Sequence, residues 1–172
     1  PAPLWLYEKS TPLTRVGPKL RQLIRAIELD AGDLDRLHRL NRLVHEEIRW
    51  EVGVSHTGST AEQAVTEGRG VCQDMTHVFA ACAREMGFPA RYVSGYLMMD
   101  GQVDQDAIHA WAEAHVDGLG WVGFDPANLQ SPDIRYVRVA TGLDYSEAAP
   151  VTGRRVGGHG ESLSVEVAVQ SQ

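Results

Sequence analysis

Cys72 stands behind a glycine pair, in Gly68-Arg69-Gly70-Val71-Cys72-Gln73-Asp74, at the head of a stretch with helical periodicity. His109-Ala110-Trp111 and Gly123-Phe124-Asp125-Pro126 follow it. A thiol, an imidazole and a carboxylate in that order are the parts of a nucleophile, a base and an orienter. At a helix N-terminus, free N–H groups and the macrodipole favour a thiolate. Gly68 and Gly70 let the incoming backbone turn tightly and leave the sulfur open. His109 would take up the thiol proton and later protonate a leaving group. Asp125 would hold the histidine tautomer and stabilise the imidazolium. The amide of Cys72 is the expected oxyanion donor, with Gln73 and Trp50 as candidates for the second donor and Trp111 as a further site candidate.

These parts work only if they meet, and a hairpin decides half of that. A two-residue loop at Asp117-Gly118 would pair Val116 with Leu119 and send His109 and Asp125 to opposite faces, because one residue of register flips every side chain. A three-residue loop, Val116-Asp117-Gly118, would pair His115 with Leu119. His109 would then lie directly opposite Asp125, Trp111 opposite Gly123 and Glu113 opposite Trp121. The sequence permits both loops; the three-residue loop is the expected one.

The elements that must position these residues come from periodicity. Residues 1–17, with three prolines, read as a linker or the exit from a missing segment. Residues 18–172 read as one catalytic domain. Helices are expected over 18–28, 33–49, 60–66 and 72–86, the third opened by a capping box from Ser59 to Glu62. Gly87 and Pro89 end the fourth. Strands are expected over 91–98, 108–115, 119–125, 134–139 and 163–169. Helices first and antiparallel strands second indicate an α+β domain. Cys82, in mid-helix, reads as a core residue. His38, His45, His56, His77, His115 and His159 read as structural.

Composition narrows the function classes. The 172 residues, 43% hydrophobic and 23% charged, are those of a globular domain. A net charge of -7 argues against nucleic acid or a polybasic membrane partner. No apolar run approaches the ~20 residues of a membrane span. The start at Pro1 reads as a fragment or a processed product. The two cysteines, ten residues apart on one helix, would be roughly 15 Å apart, too far for a disulfide, which suggests a reducing, cytoplasmic setting. Cys72, His109 and a carboxylate lack the short paired spacing of a metal site, so neither metal nor cofactor is expected.

Three ordered segments resemble the core of bacterial transglutaminase-like proteins. They are Gly70-Val71-Cys72-Gln73-Asp74 with His77; Gly87-Phe88-Pro89-Ala90-Arg91-Tyr92-Val93-Ser94-Gly95-Tyr96; and His109-Ala110-Trp111 with Gly120-Trp121-Val122-Gly123-Phe124-Asp125-Pro126. The resemblance runs over roughly residues 33–169, with Met75 where the family often has an aromatic. It implies a papain-like α+β core whose cysteine helix packs on an antiparallel sheet carrying histidine and aspartate. It implies Cys72 as nucleophile, His109 as base and Asp125 as orienter, and acyl transfer through a thioester from a peptide or protein substrate to an amine or to water. The alternative is a silent peptide-binding module on the same fold. The acidic loop from Asp100 to Asp106 reads as solvated.

Overall fold

The structure, a computed structural model, describes residues 2–27, 31–98 and 108–150. The expected strand over 163–169, the acidic loop and His159 lie outside the described residues. Four helices come first: α1 (Pro18–Arg25), α2 (Asp33–Glu47), α3 (Ala61–Glu67) and α4 (Cys72–Glu85). Two two-residue strands, β1 (Arg49–Trp50) and β2 (Arg69–Gly70), pair in parallel. An antiparallel sheet follows, built from β3 (Ala90–Leu97), β4 (His109–Val116), β5 (Gly120–Phe124) and β6 (Tyr136–Gly142), in the order β5-β4-β3-β6. A short helix, α5 (Tyr145–Ala148), comes after it. The α+β class and the helix-on-sheet arrangement are as expected. Neither the β1–β2 pair nor α5 was foreseen.

Strand β4 shows why α4 lies where it does. It reads His-Ala-Trp-Ala-Glu-Ala-His-Val, a period of two. Ala112, Ala114 and Val116 join Met75, Val78, Phe79 and Ala80 of α4 in the main core. A row of alanines lets the helix approach the sheet closely. The large and polar side chains of β4 fall on the other face. There Glu113 pairs with Arg91 at 2.6 Å and Arg138 at 2.7 Å, while Arg91 stacks on Trp121 at 4.1 Å.

The hairpin loop has three residues, but not the expected three. Val116 pairs with Gly120 and Ala112 with Phe124, so the loop is Asp117-Gly118-Leu119. The Leu119 N–H donates to the Val116 carbonyl at 3.0 Å. Gly118 and Gly120 have φ of +80° and +83°. A second glycine in the left-handed region lets the chain close one residue later than Asp-Gly alone would suggest. The expected opposites are corrected accordingly. Gly123 faces Glu113, not Trp111, and Trp121 faces His115, not Glu113. Gly123 is small because a Cβ there would come within 2.8 Å of the Pro132 ring. The odd loop length is what survives: continued by one pair, the register sets Asp125 across from Trp111 and diagonal to His109, on the same face.

The segment before α1, expected as a linker, makes tertiary contacts along its length. Leu4–Glu8 forms a 3-10 turn whose Tyr7 ring packs edge-on against Trp121 at 5.1 Å. Thr14 is buried. Arg84, in the last turn of α4 and buried, gathers these pieces: it donates to the carbonyls of Tyr7, Ala90 and Leu143 and to the Thr14 hydroxyl. Burial lowers its pKa to about 10, partly offset by Asp144 and Glu147, so it is a cation at neutral pH.

The cap of α3 also differs from expectation. Thr60, not Ser59, is the N-cap, in a reciprocal box with Gln63. This frees Glu62, whose carboxylate accepts the N–H groups of Gly17, Lys19 and Leu20 at 3.1, 2.7 and 3.2 Å. One helix thus supplies the anion for the exposed amides of another, where the macrodipole favours it. Replacing Glu62 by alanine strands these donors; urea denaturation is expected to show a loss of about 1–2 kcal/mol, with little change in m.

Candidate active site

Cys72 is the first residue of α4 and is 9% exposed. Two features of the preceding turn hold it there. A Cβ on Gly70 would lie 2.8 Å from the Asp74 side chain, so only glycine lets the chain pass. Asp74 then accepts the Val71 N–H at 2.8 Å and the Ser55 hydroxyl at 2.6 Å. The sequence suggested a helix start here but not that Asp74 ties it to the preceding loop.

His109 opens β4 and sits opposite Gly95. Its Nε2 is 2.6 Å from Oδ2 of Asp125, and the nearby Cys72 acts with Asp125 in raising its pKa. Nε2 is thus committed to Asp125, and Cys72 packs against Ala110, the neighbour of His109 on β4. Burial pushes the His109 pKa down, but the contacts with Asp125 and Cys72 outweigh it and hold the pKa at about 9. The ring is protonated at neutral pH, with Nε2–H donating to the carboxylate.

Asp125 is fully buried. Burial alone would raise its pKa, yet hydrogen bonds from His109, Asn128 and Tyr136 hold it below its usual value. Oδ2 accepts from the Asn128 amide at 2.8 Å and the Tyr136 hydroxyl at 2.7 Å. Oδ1 accepts the backbone N–H groups of Ala127 and Asn128 at 3.0 and 3.2 Å. Asn128 and Tyr136 were missed from sequence. Asp-Pro-Ala-Asn carries an Asx-turn signal that could have found Asn128; nothing local marks Tyr136, eleven residues away on another strand.

The other candidates are placed less centrally. Trp111 is 2% exposed, its ring 6.2 Å from that of His109 and 5.2 Å from that of Tyr136. It backs the histidine rather than facing solvent. Trp50 is half-exposed and pairs with Gly70, two residues before Cys72, which keeps it beside the turn that leads to Cys72. Gln73 is half-buried in the first turn of α4. Cys82 is buried and its thiol pKa is pushed far up by desolvation, in keeping with a core role. Both cysteines are free. The Nδ1–H of His45 donates to the Pro126 carbonyl at 2.8 Å. His77 is buried, and its Nε2 accepts the Tyr145 N–H at 3.1 Å. Among the described residues no cluster of three or more His, Cys, Asp or Glu could hold a metal ion, and no helix is long and apolar enough to cross a membrane.

Two pH dependences follow. His109 should titrate near 9 by imidazole NMR, and Asp125→Asn should drop that midpoint by two units or more, since burial then acts with little opposition. The native pKa is raised above the unfolded 6.5, so its stabilising contribution is full below about 6.5 and lost as pH rises through 9. His77 has the opposite sign. Desolvation lowers its pKa to about 4, so the unfolded chain binds the extra proton between 6.5 and 4, and stability should fall as pH drops through that window. Denaturation of His77→Gln across the same window should show a flatter slope than the native chain.

Comparison with known proteins gives this arrangement its family. A protein of Mycobacterium leprae is 33% identical over 133 residues, covering 74% of this chain and 47% of the relative. One of Mycobacterium tuberculosis is 32% identical over 127 residues, covering 68% and 40%. The chain thus spans less than half the length of these curated relatives. Among solved structures, a candidate cysteine protease from Cytophaga hutchinsonii superimposes with a TM-score of 0.74 at 23% identity, over 85% of this chain and 49% of that one. The periplasmic domain of TgpA from Pseudomonas aeruginosa, bound to ethylmercury, gives 0.54 at 20% identity, over 73% and 49%; both likenesses speak to the fold. The profile of the transglutaminase-like superfamily matches residues 21–126, a span that holds the cysteine turn, β4 and Asp125, and the chain belongs to that superfamily.

Proposed function

We propose that this domain catalyses cysteine-dependent acyl transfer on a peptide or protein carboxamide. The observation that carries the reading is the 2.6 Å bond by which Asp125 orients His109, with Cys72 packed against the neighbouring Ala110. A protonated imidazole in contact with a thiol at a helix N-terminus is the setting in which cysteine acts as a thiolate. The thiolate attacks the carboxamide carbon and a C–S bond forms. The oxyanion is received by the Cys72 N–H, with Trp50 or Gln73 supplying the second donor. His109 gives its proton to the departing nitrogen as the C–N bond breaks, leaving ammonia or an amine and a thioester. Neutral His109 then takes a proton from the acceptor, a primary amine or water, whose attack releases the thiolate. The family's cysteine-enzyme character supports the chemistry; the choice between amine and water rests on the acceptor.

The near-burial of Cys72 supports a second reading, a binding module in which the thiol is never presented to a carboxamide. One experiment separates the two. Glutamine-containing peptides are incubated with the protein, with and without a primary amine, and Cys72 is followed by intact-mass spectrometry. The expected outcome is a Cys72 adduct at the mass of the peptide less ammonia, discharged faster by the amine, and at least a thousandfold slower turnover in Cys72→Ala. Peptide binding without an adduct would establish the second reading. A mercurial that labels Cys72 in the native chain, but not after Cys72→Ala, would check that the thiol is reachable.

A further inference from the structure

The carboxylate of Asp125 carries more donors than holding one histidine requires, and they form an ordered chain. Arg135 Nη2 donates to Oε1 of Gln130 at 3.5 Å. Gln130 Nε2 donates to the Tyr136 hydroxyl at 2.6 Å. That hydroxyl donates to Asp125 Oδ2 at 2.7 Å. The direction is fixed by valence. A guanidinium has only donors, so Gln130 must turn its oxygen to Arg135 and its NH2 to Tyr136. The tyrosine oxygen receives that N–H, which leaves its own proton for Asp125. The ring cannot swing away, because it packs edge-on against Trp111 at 5.2 Å and beside His109 at 5.9 Å.

We propose that Tyr136, oriented by Gln130 and Arg135, is a positioning residue that draws negative charge on Asp125 away from His109 and so sets how readily His109 releases its proton. The inference rests on the acyl-transfer reading, in which that release protonates the leaving group. The same Oδ2 atom serves both His109 and Tyr136, so a stronger bond to one weakens the other's hold. Without the tyrosine proton, the carboxylate would grip the imidazolium more tightly and make it a poorer acid.

The other groups around the pair do not mimic this effect. From α4 come Cys72, the acid's partner, and Asp74, already bonded to Val71 and Ser55. From α2 comes His45, whose bond is to the Pro126 carbonyl. Glu113 on β4 is matched by Arg91 and Arg138, and Asp133 by Arg135 at 2.8 Å.

The test is the NMR titration of His109 in the native chain, in Tyr136→Phe and in Gln130→Leu, each with its urea midpoint. Loss of the tyrosine proton is expected to raise the His109 midpoint by about half a unit to one unit. Gln130→Leu keeps the ring and frees the hydroxyl to rotate, so a smaller rise of the same sign is expected; this variant keeps the test open if Tyr136→Phe folds poorly. An unchanged or lowered midpoint, whatever happens to stability, overturns the proposal, because a purely structural tyrosine would move only the urea midpoint. The titration needs no turnover. A raised midpoint in a chain that forms no acyl-enzyme would therefore sink the acyl-transfer reading and leave the electrostatic role of Tyr136 standing.

Discussion

The hydrogen bond between His109 and Asp125 is the constraint around which the second half of this chain is arranged. Its two ends lie on consecutive segments, one at the start of β4 and the other just past the end of β5. A sheet has only two faces, so the pair can meet only if the loop between the strands has an odd number of residues. Once that parity is set, alternation does the rest. The large and polar residues of β4 take the face of His109, and the alanines take the other, where α4 needs room to approach. Cys72, at the N-terminus of α4, clusters with Ala110, Tyr92 and Ala148, beside the start of the strand that carries His109.

Much of this was legible because it is written in short-range patterns. The 3.6-residue period located α2 and α4 to within about two residues. The two-residue period located all four strands of the main sheet among the described residues. The cysteine, histidine and aspartate stood out as an ordered set, and the structure bonds the last two directly. What was misread is instructive. The loop length was read correctly and its position was off by one, because Gly120 takes a left-handed conformation that an Asp-Gly pair does not announce. Ser59-Glu62 and Thr60-Gln63 are equally good capping boxes in sequence; the choice was made by α1, whose open amides claim Glu62 for themselves. Propensity rules rank local partners and cannot see a competitor forty residues away.

The parts that were not legible are tertiary by nature. Arg84 sits in a run of alanines, where a cation usually marks a solvent face. Here it is buried, because carbonyls from three separated segments and Thr14 converge on its guanidinium, whose fork of donors suits several acceptors at once. Likewise, nothing near Tyr136 distinguishes it from an ordinary strand tyrosine. Its role exists only because β6 crosses to lie beside β3, with Tyr136 paired to Leu97 and its ring turned toward Trp111 and His109. The short β1–β2 pair was invisible for a different reason. Two residues have no period, yet this pair is what keeps Trp50 beside the turn leading to Cys72.

The loop after Asp125 shows how a strained backbone and a buried charge sustain each other. Leu129 has φ of +52°, in a region that costs a side-chain-bearing residue roughly 1–2 kcal/mol. The strain persists because the turn is closed on both sides: Asp125 and Gln130 exchange backbone hydrogen bonds at 2.8 and 3.2 Å, and the amides of Ala127 and Asn128 converge on Oδ1. A carboxylate with no solvent exposure must find several donors to remain ionised. A relaxed turn would aim those amides elsewhere. The left-handed residue brings Gln130 back alongside Asp125, where its side chain can also meet Tyr136. Ionisation of Asp125 and the shape of the loop are thus one condition. A change that relaxed Leu129 would act on the histidine through the carboxylate rather than through any contact of its own.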